Sequence, residues 1–393
     1  MNDIIKQSFN INIFVMETLG LYPCEKHSNF RQVQAYVMYI LFIIMVPFLT
    51  ILNFIVEEHL DILQLNNTAT FLSETICWII KLLPFLVNGQ RIKKCINYFG
   101  DSYFTTLLCG DTDRKNIINN CIQVCRRNSL IFLTGVIGGL ASFIIKPLFL
   151  NNQRLPLNMW LPFRTSENWI YIAVYLFLAI AISYAGLAGT LIDPLIGGLA
   201  YHATGQLKIL KNDLQHLGEQ TELEATKNYN LRKDLAKYKI LYKKIQQCIV
   251  HHNAILIFVK EFEECFSIVV FSQFAGSIFA ICFCCLQLSM VEFVSFSAMS
   301  YVGYILIMLG QLYFYCYYGT KLFEENNSLT YGIYMGQWYN YDLKSQKALI
   351  TLMERSKTPM LITAGKILPL SLETFTMVLR RTYSLVAVLK NYQ

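Results

Sequence analysis

Seven apolar stretches, each near the length needed to cross a bilayer, alternate along the chain with segments that hold most of its charge. A hydrocarbon core about 30 Å thick takes roughly 17 to 25 helical residues to span. Runs of that length cover residues 33–56, 69–88, 129–150, 169–190, 266–290, 298–316 and 369–389. The pattern predicts an all-α membrane protein of seven transmembrane helices in a single domain, 1–393, with its two termini on opposite sides.

The charge between the spans sets the orientation. Lys and Arg number 3 in residues 1–32, 7 in 91–128, 10 in 201–260 and 6 in 321–366, whereas 57–68, 151–168 and 291–297 together hold only Arg154 and Arg164. Basic residues are retained on the cytoplasmic face, so the N-terminus is predicted in the cytosol and the C-terminus outside. Receptors that couple to G proteins have the opposite orientation, and neither a DRY nor an NPxxY motif occurs.

The composition, 54% hydrophobic and 15% charged with mean hydropathy +0.40, fits one integrated membrane domain. The net charge of +7 is mostly the cytoplasmic bias and implies no nucleic-acid partner. Residues 1–32 show no cleavable apolar core, so the first span is expected to serve as an uncleaved anchor. None of the twelve cysteines falls in the three predicted outside loops, and Cys282, Cys284 and Cys285 read as small buried hydrophobes. The sequon at Asn66 is predicted outside, close to the second span, and that at Asn326 inside; only Asn66 is an expected glycosylation site.

The segments 201–265 and 321–366 look helical. Leu207, Leu210, Leu214 and Leu217, then Leu231, Leu235, Tyr238 and Tyr242, recur every three or four residues, which extends the fourth and fifth spans into the cytosol. Ala348, Leu349, Leu352 and Met353 make a further apolar face over 345–355. Such stripes are buried either within the subunit or in a cytosolic layer between subunits.

Ionisable residues inside spans are costly, about 2.5–3.5 kcal/mol each at the bilayer centre on insertion scales. The last span carries Glu373, Arg380 and Arg381, so it either packs within the bundle or lines water. Thr374, Arg381, Ser384 and Val388 share a broad sector of that helix. Glu74 and Lys146 lie in the predicted outer half of the bilayer, as a structural pair or as polar contacts for a ligand; Lys81, seven residues after Glu74, snorkels or pairs with it. Asp193-Pro194 reads as a local turn closing the fourth span, and Gly138-Gly139 as a close-packing site. Catalytic patterns are missing: His251 and His252 are adjacent, so their rings diverge, and no HExxH, GxSxG or P-loop occurs. No cofactor is implied.

Several segments together resemble the insect odorant receptors. They are Cys248 to Leu256 with Phe266-Ser267 and Gln273-Phe274, then Gln311 to Gly319, and finally Pro369 to Phe375 with Tyr383-Ser384. Leu155-Pro156 through Trp160-Leu161-Pro162-Phe163 is similar to that family's proline-aromatic loop before the fourth span. The resemblance covers essentially the whole chain. The related gustatory receptors carry a TYxxxxxQF signature, from which Thr382-Tyr383 followed by Lys390-Asn391 departs.

The resemblance implies an odorant-gated, non-selective cation channel built as a tetramer at the plasma membrane of olfactory sensory neurons. This chain would be a ligand-tuned subunit partnered by a co-receptor. Residues 33–200 would form the first four spans and the outer ligand pocket, 201–265 and 321–366 the cytosolic anchor helices, and 367–393 the pore-lining last helix. The family's pocket lies among spans two to six, which here offers Phe71, Thr75 and Trp78; Ser142, Phe143 and Lys146; Tyr171, Tyr175, Leu178 and Ala179; and Tyr301 and Tyr304. Aromatic walls with a few hydroxyls suit a small volatile molecule. At ~10 heavy atoms and ~0.5–1 kcal/mol per atom it would bind at about micromolar to millimolar strength. Arg381, Ser384, Val388 and Tyr392 would line or gate the pore. A G-protein-coupled receptor or a secondary transporter are the competing classes; the second predicts internal repeats, and no convincing repeat is found between the halves.

Overall fold

The computed structural model describes residues 3–22, 29–56, 62–100, 104, 112–145, 155–157, 159–162, 167–227, 233–291 and 295–391. In chain order the helices are α1 (Asp3–Thr18), α2 (Asn29–Tyr39), α3 (Met45–Val56), α4 (Ile62–Val87), α5 (Gly89–Asn97) and α6 (Thr112–Ile145). They continue as α7 (Asn168–Gln215), α8 (Leu217–Lys227), α9 (Lys233–Met290), α10 (Phe296–Met335), α11 (Leu343–Ser356) and α12 (Leu372–Asn391). A π turn, Ile40–Ile44, joins α2 to α3. It sits directly before Pro47, whose missing N–H cannot serve the Ile43 carbonyl, so the helix widens there.

Among the described residues six helical segments are long and apolar enough to cross a membrane: Val33–Asn53, Thr68–Val87, Thr112–Ile145, Asn168–Gln215, Lys237–Met290 and Ser297–Met335. The seventh expected span is α12. Its 20 residues reach about 30 Å at ~1.5 Å per residue, but Glu373, Arg380 and Arg381 dilute its apolar character. α7 and α9 run for 48 and 58 residues, about 70 and 90 Å, more than twice a bilayer core, so the fourth and fifth spans do continue as helices beyond a bilayer core.

The core runs along α7, which packs against α6 and α10, while α4 packs against α9. In the extensions Leu207, Leu210, Leu214 and Leu217 are all buried in the main core. Of the second stripe, Leu231 and the Leu235 side chain lie outside the described residues, and the described part is shifted from the expected one. Leu241, Ile245 and Cys248 face inward, whereas Tyr238 is exposed and Tyr242 carries the Lys344 ammonium 4.0 Å from its ring centroid. A tyrosine keeps its hydroxyl wet, so a stripe that counts it as apolar drifts off the buried face. α11 buries Leu349 and Leu352 within the subunit and is capped by Asp342, which accepts from the Ser345 N–H at 3.3 Å. α1, near the chain start, is no loose tail: Phe9 and Met16 are fully buried, and Asn12 donates to the Leu191 carbonyl at 2.7 Å.

Two expectations are corrected. Asp193-Pro194 is not a turn, because α7 passes through both; Asp193 lies fully buried in mid-helix. Gly138-Gly139 is not a close-packing site among the described residues, since a Cβ at either would meet none of them within 4 Å.

The chain enters α12 through a small antiparallel hairpin, Thr363–Ala364 with Leu368–Pro369. Its turn uses left-handed backbone at Gly365 (φ 62°) and Lys366 (φ 59°), and Gly365 N–H donates to the Ser267 carbonyl at 2.9 Å. Because Pro369 is in the strand and the Ser371 hydroxyl accepts from Thr374 N–H at 3.1 Å, the helix starts at Leu372, later than the apolar run.

Candidate ligand site

At the end of the bundle that carries the 155–162 loop, a second apolar cluster stands apart from the main core. Phe71 of α4, Val46 of α3 and Val174, Leu178, Ala181 and Ile182 of α7 meet there, closed over by Leu157 and Met159 of the loop. The loop is tied down by Trp160 N–H donating to the Leu49 carbonyl at 3.0 Å. Trp78 packs against this cluster and stands edge-on to Phe71, 6.4 Å between centroids. Its indole occupies the space beside Gly189, where a Cβ would lie 2.3 Å from Trp78 Cδ1; any larger residue on α7 would evict the ring.

Of the residues expected to form a pocket, Phe71, Trp78 and Leu178 are thus brought together. Thr75 is buried on the same helix, its hydroxyl spent on the Phe71 and Leu72 carbonyls of its own turn. Tyr175 is buried and donates to the Ile144 carbonyl, linking α7 to the end of α6, with the Tyr171 ring 5.9 Å away. Ala179 is half-buried beside them. Ser142 and Phe143 are not gathered in: both are exposed on α6, and the Ser142 hydroxyl turns back to the Gly139 carbonyl at 2.8 Å. Tyr301 and Tyr304 are half-buried on α10. Lys146 lies outside the described residues, and with it the proposed Glu74–Lys146 pair.

Beneath the aromatic cluster lies a polar knot. Lys81 of α4 does not pair with Glu74; its Nζ is 2.7 Å from Asp193 Oδ1 of α7, with both side chains essentially inaccessible. The Tyr315 hydroxyl of α10 donates to the same oxygen at 2.6 Å. One charge pair and one phenol therefore bind α4, α7 and α10 together. Glu74, one turn above Cys77, is also buried and faces the Tyr304 hydroxyl. Sequence reasoning had Lys81 and Asp193 in hand but not their partnership, since 112 residues separate them.

Two motif positions also meet. Gln273 donates to Gln311 Oε1 at 2.9 Å, joining α9 to α10. His251 Nε2 lies 3.0 Å from Gln206 Oε1, a bridge between the α7 and α9 extensions. On the extensions a polar crevice of about 480 Å³ includes Asp113, Lys208, Lys211 and Glu325; Lys208 and Glu325 already approach at 3.7 Å.

On α12, Arg381 and Ser384 are exposed, and Val388 belongs to the helix. Thr374 departs from the expected polar sector: it is buried and its hydroxyl donates to the Pro369 carbonyl at 2.7 Å. Tyr392 lies outside the described residues. Asn66 sits within α4 at 9% exposure, a setting in which a sequon is hard for a transferase to reach. Asn326 is buried and donates to the Ser356 and Thr358 carbonyls.

Residues 61–383 match the family model described as 7tm odorant receptor. The chain is 24% identical to odorant receptor Or1 of Anopheles gambiae, over 99% of this chain and 96% of that protein. It is 23% identical to odorant receptor 22c of Drosophila melanogaster, over 85% and 84%. Its fold is similar to the solved insect olfactory receptor OR5 of Machilis hrabei, TM-score 0.83 at 16% identity with both chains fully covered, and equally to that receptor in complex with eugenol.

Proposed function

The chain belongs to the odorant receptor family, and from that membership we propose that it is a ligand-tuned subunit of an odorant-gated, non-selective cation channel. It is a membrane-spanning receptor and not an enzyme. The observation that carries the reading is the family match over most of the chain. The solved receptor of the same fold holds eugenol, a small aromatic phenol, which fits an aromatic, loop-capped cluster around Phe71, Trp78 and Leu178.

In this reading the N-terminus is cytosolic and the pocket lies in the outer half of the bundle. The ligand buries its apolar area there at ~25 cal/mol per Å². It binds the open state more tightly than the closed one, and that differential affinity is the entire energy source. The last helix then shifts so that Val388 retreats from a central axis shared with co-receptor subunits in a tetramer. Exposed Arg381 and Ser384 on one side of α12 support giving that side to water. The expected location is the plasma membrane of sensory dendrites.

The test is whole-cell current in cells expressing this chain with and without an insect odorant co-receptor, under a volatile panel and with G-protein signalling blocked. Rapid cation current requiring both subunits is the expected result. Responses that vanish on blocking G proteins would refute it. Replacing Tyr304 or Trp78 should change odorant rank order without abolishing assembly; if neither replacement alters any response, the pocket assignment fails.

A further inference from the structure

We propose that Glu74 is the polar anchor of the ligand site and that it selects small molecules carrying a protonated amine. The proposal rests on the pocket reading above and deepens it. Glu74 lies between Phe71 and Trp78 on α4, so its carboxylate borders the aromatic cluster. It is only 6% exposed, and among the described residues its Oε1 has no hydrogen-bond partner. A buried carboxylate oxygen without a donor is an unusual and costly arrangement.

The groups around Glu74 do not remove the deficit. Lys81 lies on the same side of the helix, but its ammonium is committed to Asp193 at 2.7 Å. Cys77 donates elsewhere, to the Ser272 carbonyl at 3.1 Å. Tyr304 supplies one hydroxyl, leaving Oε1 open. Charge gives the same answer independently. Among the described residues of this buried layer two carboxylates, Glu74 and Asp193, share the single Lys81 ammonium.

A ligand ammonium supplies both what is missing, a donor and a positive charge, whereas an alcohol supplies only the donor. A ligand would enter beside Tyr304, which is half-buried on α10, next to Gly303, where a Cβ would meet nothing within 4 Å.

The experiment is ligand-induced thermal stabilisation of the full-length chain in detergent at neutral pH, comparing hexylamine with hexanol and benzylamine with benzyl alcohol. Amines are expected to act at about ten- to a hundred-fold lower concentration than the matched alcohols, the range of a charge-assisted over a neutral hydrogen bond. Glu74→Gln should erase that ratio by weakening amines far more than alcohols, and Glu74→Asp should retain its sign. Amines no better than alcohols on the wild-type chain would overturn the proposal. So would an equal loss for both classes in Glu74→Gln, the signature of a structural Glu74–Lys146 pair. The wild-type ratio decides the matter if the glutamine variant does not survive solubilisation. Stabilisation by amines without any evoked current would sink the channel reading and leave this one standing.

Discussion

Removing the Lys81 ammonium should be one of the most damaging single changes in the bundle, and neutralising its partner should undo most of the harm. At 2.7 Å, with side chains 1% and 0% exposed, the pair attracts by about 6 kcal/mol at an effective dielectric of ~20. Most of that attraction offsets the cost of taking both charges out of water. Lys81→Met keeps the side-chain volume but strands the Asp193 carboxylate, held only by the Tyr315 hydroxyl at 2.6 Å. Breaking a buried pair from one side costs about 3–5 kcal/mol. Adding Asp193→Asn removes the orphaned charge yet leaves Tyr315 an acceptor. The assay is thermal unfolding of detergent-solubilised chain, read as loss of the monodisperse peak on size-exclusion chromatography. Lys81→Met should lower the midpoint by about 5–10 °C, and the double variant should regain more than half of that. A double variant no more stable than the single would refute the reasoning, because the damage would then come from packing and not from charge.

Gly319→Ala should detach the entry to α12, since its Cβ would lie 2.2 Å from the Leu370 carbonyl oxygen, a backbone atom with nowhere to go; a cost of about 1–3 kcal/mol follows. Gly310→Ala, with nothing within 4 Å, should be neutral or stabilising by up to ~1 kcal/mol, and equal midpoints for the two variants would contradict this. Asn326→Ala removes two hydrogen bonds to the end of α11, at 3.0 and 3.2 Å. Amide exchange at residues 353–358 should quicken by an amount equivalent to about 1–3 kcal/mol; unchanged exchange would show that the side chain is idle. For topology, both native sequons should stay unmodified because their asparagines are buried. The combined Pro162→Asn and Arg164→Thr substitution should acquire a glycan, and its absence from a folded chain would reverse the assigned orientation.

Length and apolarity made the spans readable, and the one-sided leucine spacing made the extension of α7 readable, because both are local properties of a helix. What escaped depends on neighbours. Asp193-Pro194 looks like a stop by local rules, yet α7 continues because Lys81, Tyr315 and Asn12 arrive from three other elements to serve the polar groups around it. Spacing put Lys81 and Glu74 on one side of α4 and so invited a pair. Only the packing of α4 on α7 brings a better partner within 2.7 Å. Phe71, Trp78 and Leu178 were named because the family resemblance puts a pocket in that region, and they do converge. Ser142 and Phe143 were chosen by the same criteria and do not, since nothing in the sequence of α6 says which side meets the bundle.

Among the described residues the last helix is held to the rest of the chain at one end and along one side. The hairpin is pinned by Ser267, Leu370 rests on Gly319, and Leu372 N–H donates to the Thr320 hydroxyl at 3.0 Å. Along the helix Thr374, Val378 and Thr382 turn inward. The remaining surface carries Arg380, Arg381, Tyr383 and Ser384, all exposed. Two arginines facing hydrocarbon would each cost about 2.5–3.5 kcal/mol, so that side of α12 belongs against water or against another chain. The Thr382 hydroxyl, buried with no partner among the described residues, is further polar chemistry left unfinished. A bundle of such helices around a shared axis satisfies these demands together, giving the polar side water and the flanks a neighbour. The proposed ligand-driven opening would use this limited attachment, with the helix shifting as a unit about its hairpin.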